Sequence, residues 1–215
     1  MRLRRSAYRI ALCTVCFLAP VMAAEPDVES DYAVLLARAK LDPARADFAK
    51  LRIAFTKTPA YEPYGTSPSD YKEVEAATQA GDWERARDLV DALLQKNYVR
   101  IRSHYFAWVV YRRAGDEERA KHHRAFMDGL FRSITTSGDG KTAESPYIVI
   151  NVEEEYDVLG LTGLKMLGQS LQHANGRDFD VLTVQQREGA EPMKLYFDIT
   201  LPWKNSPIGK ETQAK

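Results

Sequence analysis

Beyond residue 24 the sequence contains no cysteine; Cys13 and Cys16, its only two, both lie earlier. That absence excludes a disulfide framework, a thiolate nucleophile and cysteine metal ligands from everything that follows, so burial alone must hold the core. Long apolar runs are equally scarce. After Met22 no stretch approaches the roughly 20 residues that a spanning helix needs, so the remainder is expected to be soluble. An excess of positive charge is missing as well. The chain has 30 basic and 30 acidic residues, and removing Arg2, Arg4, Arg5 and Arg9 leaves 26 against 30. Without a basic surplus to neutralise phosphates, no nucleic-acid partner is expected.

Residues 1–24 carry a pattern of their own. The four arginines precede an apolar stretch, Ile10 to Met22, and Val21-Met22-Ala23-Ala24 supplies small residues for cleavage. This order predicts a cleavable secretory signal and a periplasmic or secreted product; an uncleaved anchor is the alternative. Leu12 and Val15 stand where a lipidation site calls for small residues, so neither cysteine is expected to carry a lipid.

The strongest positive signal is a repeat. Gly81-Asp82-Trp83-Glu84-Arg85-Ala86-Arg87 returns as Gly115-Asp116-Glu117-Glu118-Arg119-Ala120-Lys121, 34 residues later. That is the tetratricopeptide period, in which a Gly-Asp turn joins two antiparallel helices and a small alanine permits close packing. Helical periodicity runs through residues 25–134. Tyr32, Leu35, Leu36 and Ala39 form a first stripe. Asp42 and Pro43 open a second helix carrying Phe48, Leu51 and Phe55, and Ser67 caps a third. Trp83, Ala86, Leu89, Val90, Leu93 and Leu94 make one clean face. Ile101, Tyr105, Trp108 and Tyr111 line one side of the next helix, with Phe106 and Val110 on another. Ala120, His123, Met127, Leu130, Phe131 and Ile134 form the last stripe.

The period then changes from 3.6 to 2. Tyr147 to Val152 is β-rich, and Glu153 to Leu159 forms a short helix. Leu164–His173, Phe179–Gln186 and Met193–Leu201 read as three strands joined at Asn175-Gly176 and Glu188-Gly189. The expected fold is α+β: a tetratricopeptide-like antiparallel helical array (25–134), then a small antiparallel sheet packed on it (135–204) and a flexible tail (205–215).

Candidate chemistry is thin. Gly140-Lys141-Thr142 resembles the end of a phosphate loop, but Thr135 stands where its first glycine belongs and no strand precedes it. His122 follows Glu118 by four residues, a spacing for metal, yet no second pair accompanies it and there is no HExxH; no metal or other cofactor is expected. His123 falls on the apolar stripe, the place of a hydrogen-bonded core histidine. No GxSxG elbow gives a serine focus. Glu153, Glu154 and Glu155 serve either an acidic site with Tyr156 or the positive end of a helix dipole. Tyr61 and Tyr64, on a proline-stiffened loop, are either contact groups for a ligand or plugs between the two halves.

Taken together, Tyr61-Glu62-Pro63-Tyr64, Gly138-Asp139-Gly140, Glu154-Glu155-Tyr156 and Tyr196-Phe197-Asp198-Ile199 carry a resemblance. Over roughly residues 30–202 the chain resembles an exported bacterial family known as domain of unknown function 4919, whose members are often labelled tetratricopeptide-repeat proteins. The resemblance implies secretion and a repeat-like helical half, and supplies no activity. Of the positions that usually hold Trp, Gly and Tyr in a repeat's first helix, only Tyr111 matches, which tells against a regular groove. The reading that follows is a non-catalytic exported protein that binds a protein or peptide in the cell envelope, with Tyr61, Tyr64, Glu155 and Tyr156 as ligand-binding candidates. The alternative is an envelope hydrolase or small-ligand binder with its site between the halves.

Overall fold

A computed structural model describes residues 28–64 and 68–206, with side chains from 31 and from 71 onward in the two stretches. The expected leader, the Ser67 cap and residues 207–215 lie outside the described residues. The chain forms α1 (Val28–Leu41), α2 (Phe48–Phe55), α3 (Pro68–Ala80), α4 (Trp83–Lys96), α5 (Ile101–Arg113) and α6 (Glu117–Thr135). Then come β1 (Tyr147–Ile148), α7 (Glu153–Thr162), β2 (Lys165–Ala174), β3 (Arg177–Gln185), β4 (Met193–Asp198) and α8 (Thr200–Asn205). The class is α+β, as the change of period indicates.

The repeated heptapeptide builds the same corner twice. At α3–α4 the Asp82 amide reaches Ala77 O and the Gly81 amide reaches Thr78 O; at α5–α6 Asp116 reaches Tyr111 O and Gly115 reaches Arg112 O. Both are Schellman closures, and both need a left-handed residue, supplied by Gly81 (φ 73°) and Gly115 (φ 81°). Each aspartate then caps the following helix: Asp82 Oδ1 accepts from the Arg85 amide and Asp116 Oδ1 from the Arg119 amide, both at 3.1 Å. Ala86 and Ala120 are buried at the two crossings.

Other expectations change in detail. Asp42 caps only a three-residue 3-10 turn, Pro43–Arg45, and α2 begins afresh under its own cap, Asp47. On α5 Tyr105 is turned out to solvent, while His104 replaces it inside, fully buried. The sheet is mixed rather than antiparallel: its order is β1-β4-β3-β2, and β1 runs parallel to β4. The expected strand at Tyr147–Val152 shrinks to two residues because Ile150 has other partners. Its amide donates to Glu154 Oε2 at 2.8 Å, and its carbonyl accepts from Tyr61 Oη at 2.5 Å. The last strand stops at Asp198, whose Oδ1 accepts the Thr200 amide and starts α8; Asn205 closes that helix and Ser206 is buried.

One core passes from α1 and α2 through α6 and α7 to β3 and β4, centred on Phe55, Phe126, Leu182 and Phe197. A second, smaller core fills the α3–α6 hairpins around Val90, Val110 and Tyr111, and Tyr98 packs against both. Within the first core lies an ion pair. Arg52 of α2 donates to Glu154 of α7 through Nε (2.9 Å) and Nη2 (2.5 Å), to Ser133 Oγ of α6 and to the Ile148 carbonyl of β1. Both charges are at least 97% buried.

Two outcomes test these packing arguments. Arg52→Met should destabilise by roughly 3–5 kcal/mol in denaturant titration, because Glu154 is left charged and uncompensated. Ala86→Leu or Ala120→Leu should cost about 1–3 kcal/mol each by the same measurement, since both alanines are buried where helices pack.

Candidate functional site

A cleft of about 860 Å³ opens on the helical side. Its walls come from α1 (Tyr32, Leu36, Lys40), from the turn after α2 (Thr58, Pro59, Ala60) and from the later part of α4 (Asp91, Leu94, Gln95). The start of α6 (Arg119, His122, His123), with Tyr98 and Tyr111, completes it. These residues meet because the Gly115-Asp116 corner folds α6 back on α5, and because the Pro59 loop carries the chain across the end of α1.

A chain of hydrogen bonds fixes the floor. His104 Nε2 lies 2.8 Å from the Tyr98 carbonyl oxygen, which can only accept, so His104 carries its proton there. His104 Nδ1 is then a lone pair, and His123 Nδ1, 3.0 Å away, must be the donor. His123 Nε2 is therefore left as an acceptor on a residue that lines the cleft. Burial holds both imidazoles neutral, pushing His104 down to about 3 and His123 down to about 4. His122 is also lowered, by burial and by the Lys40 charge.

Around this floor the groups alternate in character. Asp91 accepts from Tyr111 Oη at 2.6 Å, and Arg119 Nη1 donates to the same hydroxyl at 3.2 Å. The Tyr111 ring stacks on His123 at 5.4 Å. Lys40 Nζ sits 3.9 Å above the Tyr98 ring, and Tyr98 Oη lies 3.2 Å from His122 Nε2. Acceptors (Asp91, His123) and donors (Lys40, Arg119) thus share a wall built of aromatic rings. That is suited to holding a chain that presents both N–H and C=O groups. Lowered so far, His123 is a poor general base at neutral pH, and among the described residues its hydrogen-bonded neighbour is His104.

The four residues expected from sequence lie elsewhere, in two places. Tyr61 is half-buried, edge-on to Phe55 at 6.1 Å and tied to Ile150. It anchors the loop whose first residues form a cleft wall. Tyr64 is exposed on that loop, and the neighbouring Pro63 carbonyl accepts the Val152 amide. Glu155 and Tyr156 lie on α7, with Glu155 turned toward the sheet. Glu155 is fully buried with no donor of ordinary kind on either oxygen, and the Asp180 carboxyl stands beside it. Burial first, and then that neighbour, raises Glu155 to about 9, so the two hold a proton between them. Tyr156 is exposed, its hydroxyl 3.4 Å from Gln169.

The glutamate run therefore serves three directions: Glu153 pairs with Arg100, Glu154 with Arg52, and Glu155 with Asp180. The Gly140 turn is a structural clasp, accepting the Tyr196 amide of β4. Among the described residues no group of three or more His, Cys, Asp or Glu side chains is placed to hold a metal. Of the cleft residues, sequence reasoning singled out only the histidines; Lys40 and Asp91 gave no signal.

Residues 24–206 match the family described as Domain of unknown function (DUF4919). The chain belongs to that family. No curated protein and no solved structure matches it.

The shared proton has a consequence for stability. Glu155 titrates near 9 in the fold against an ordinary value of 4.5, so its contribution is complete below about pH 4.5 and is lost as pH rises toward 9. In Glu155→Gln an amide donates to Asp180 permanently. Denaturant midpoints measured between about pH 5 and 9 should fall for the wild type and stay flatter for the variant.

Proposed function

We propose that this DUF4919 member is a non-catalytic exported protein that binds a protein or peptide partner in the cell envelope, in the cleft between α1, α4 and α6. The observation that carries the reading is the cleft itself. Its volume of about 860 Å³ suits a short peptide segment, and it offers donors and acceptors side by side on aromatic walls. Two Gly-Asp corners at a 34-residue spacing support a tetratricopeptide-like scaffold, an architecture that works by presenting concave helical surfaces. Export rests on the basic, apolar and small-residue order of residues 1–24.

The raised carboxyl of Glu155 favours a second reading, an envelope hydrolase or small-ligand binder between the halves. It ranks lower because Glu155 has no solvent exposure, whereas the open cleft lies against other residues.

Ala33→Trp separates the two. Ala33 is an exposed helical residue on the cleft wall, so the substitution fills the cleft without disturbing the core. Affinity capture from envelope extract should retain a stoichiometric protein on the wild type and lose it on the variant. A partner held equally by both forms would sink the cleft assignment.

A further inference from the structure

Five carboxylates converge on α7 and the strand beside it: Glu153, Glu154, Glu155, Asp157 and Asp180. Two buried guanidinium groups answer them, Arg52 taking Glu154 and Arg100 taking Glu153 and Asn151, while Glu155 and Asp180 share a proton. Asp157 is left over. Its Oδ2 is wholly buried and has no hydrogen-bond partner among the described residues. An unpartnered buried carboxylate oxygen is expensive, and such groups in native folds generally have an explanation.

Asp157 lines a pocket of about 350 Å³ at the α5–α7 seam, well away from the cleft. Ile101 and Tyr105 of α5 and Tyr156, Gly160 and Leu161 of α7 complete its walls. Tyr105, Tyr156 and Leu161 are each about two-fifths exposed, an unusual concentration of open apolar surface around one acid. Arg102 borders the pocket, but its guanidinium is engaged on the far side. It bonds Glu75 of α3 at 3.1 Å and lies 4.7 Å above the Tyr71 ring. Arg100, whose charge also acts on Asp157, spends its Nη1 on Asn151 and Glu153, so among the described residues neither guanidinium hydrogen-bonds to Asp157 Oδ2.

We propose that this pocket binds an organic cation, an ammonium or guanidinium group on an aliphatic stem, with the charge against Asp157 and the stem between Tyr105, Tyr156 and Leu161. Each part of such a guest meets a matching surface. The carboxylate gains a counter-charge in a setting where burial makes it strong, the tyrosine faces attract the cation, and the stem covers exposed apolar area. The source is either a free amine or a lysine or arginine side chain of a bound peptide. Burial raises Asp157 to about 7, Arg100 just before α5 and Arg102 within it oppose the rise, and Glu154 and Glu153 of α7 add to it. A cation prefers the ionised form, so affinity should weaken as pH falls below about 7.

The test is an NMR titration of the exported chain, read at Tyr105, Tyr156 and Leu161. The probes are agmatine and cadaverine as free amines, the N-acetyl methylamides of arginine and lysine as peptide side chains, and N-pentylurea as a neutral shape-mimic. The cations should shift these signals and bind roughly tenfold or more tighter than the urea. Binding by the free amines alone points to a small-molecule guest, and binding by the blocked amino acids as well points to a peptide side chain. Asp157→Asn should abolish the discrimination. Gly160→Leu adds its side chain at an exposed helical position where a Cβ meets nothing within 4 Å, so it closes the pocket while leaving the carboxylate and the fold in place. It should abolish binding even if Asp157→Asn fails to fold. Equal affinity for N-pentylurea, or cation binding unchanged in Gly160→Leu, would overturn the proposal.

Discussion

Arg52 of α2 sits where four elements meet, and its side chain hydrogen-bonds to α6, β1 and α7. A guanidinium taken out of water needs a carboxylate and full use of its donors. Here Glu154 takes two of the five N–H groups of Arg52, and Ser133 and the Ile148 carbonyl take one each. Glu154 in turn accepts the Ile150 amide, which ends β1 after two residues and turns the chain into α7. The helical half and the sheet are thus joined by a charge that neither half could bury alone. The apolar core around Phe55, Phe126 and Phe197 closes over that contact.

The same economy of polar groups shapes the cleft. His104 and His123 are both buried, and two adjacent buried imidazoles are tolerable only if both stay neutral and share their protons in order. The Tyr98 carbonyl sets that order, and its effect passes through His104 to leave an acceptor on His123 at the cleft floor. The acceptor at the cleft floor is in this sense a by-product of satisfying two core histidines. On α7 the arithmetic runs the other way. Two arginines cannot answer five carboxylates, so burial raises Glu155 beside Asp180, and Asp157 Oδ2 is buried at the α5–α7 seam with no hydrogen-bond partner among the described residues.

Much of the helical half was legible because its signals are local. The 34-residue repeat specifies a left-handed glycine, an aspartate cap and a small crossing residue, and each acts within a turn or two of its own position. The Asn175-Gly176 hairpin was legible for the same reason, with both residues at positive φ. The resemblance through short motifs, and the α+β class, likewise needed no contact map. What went astray was non-local. Tyr105 and His104 stand one residue apart, and only the position of α6 decides which of them faces inward.

By itself the sequence determined the helix corners, the hairpin, the alternation of β4 and the family of the chain, since each is written in neighbouring residues. Tertiary structure alone decided that β1 runs parallel to β4, that Glu154 finds Arg52 from 102 positions away, and that Glu155 meets Asp180. It also decided that Lys40, Asp91 and His123 share one cleft. The physical reason is that a buried charge selects its partner by desolvation, and desolvation is a property of the assembled core rather than of any stretch of chain.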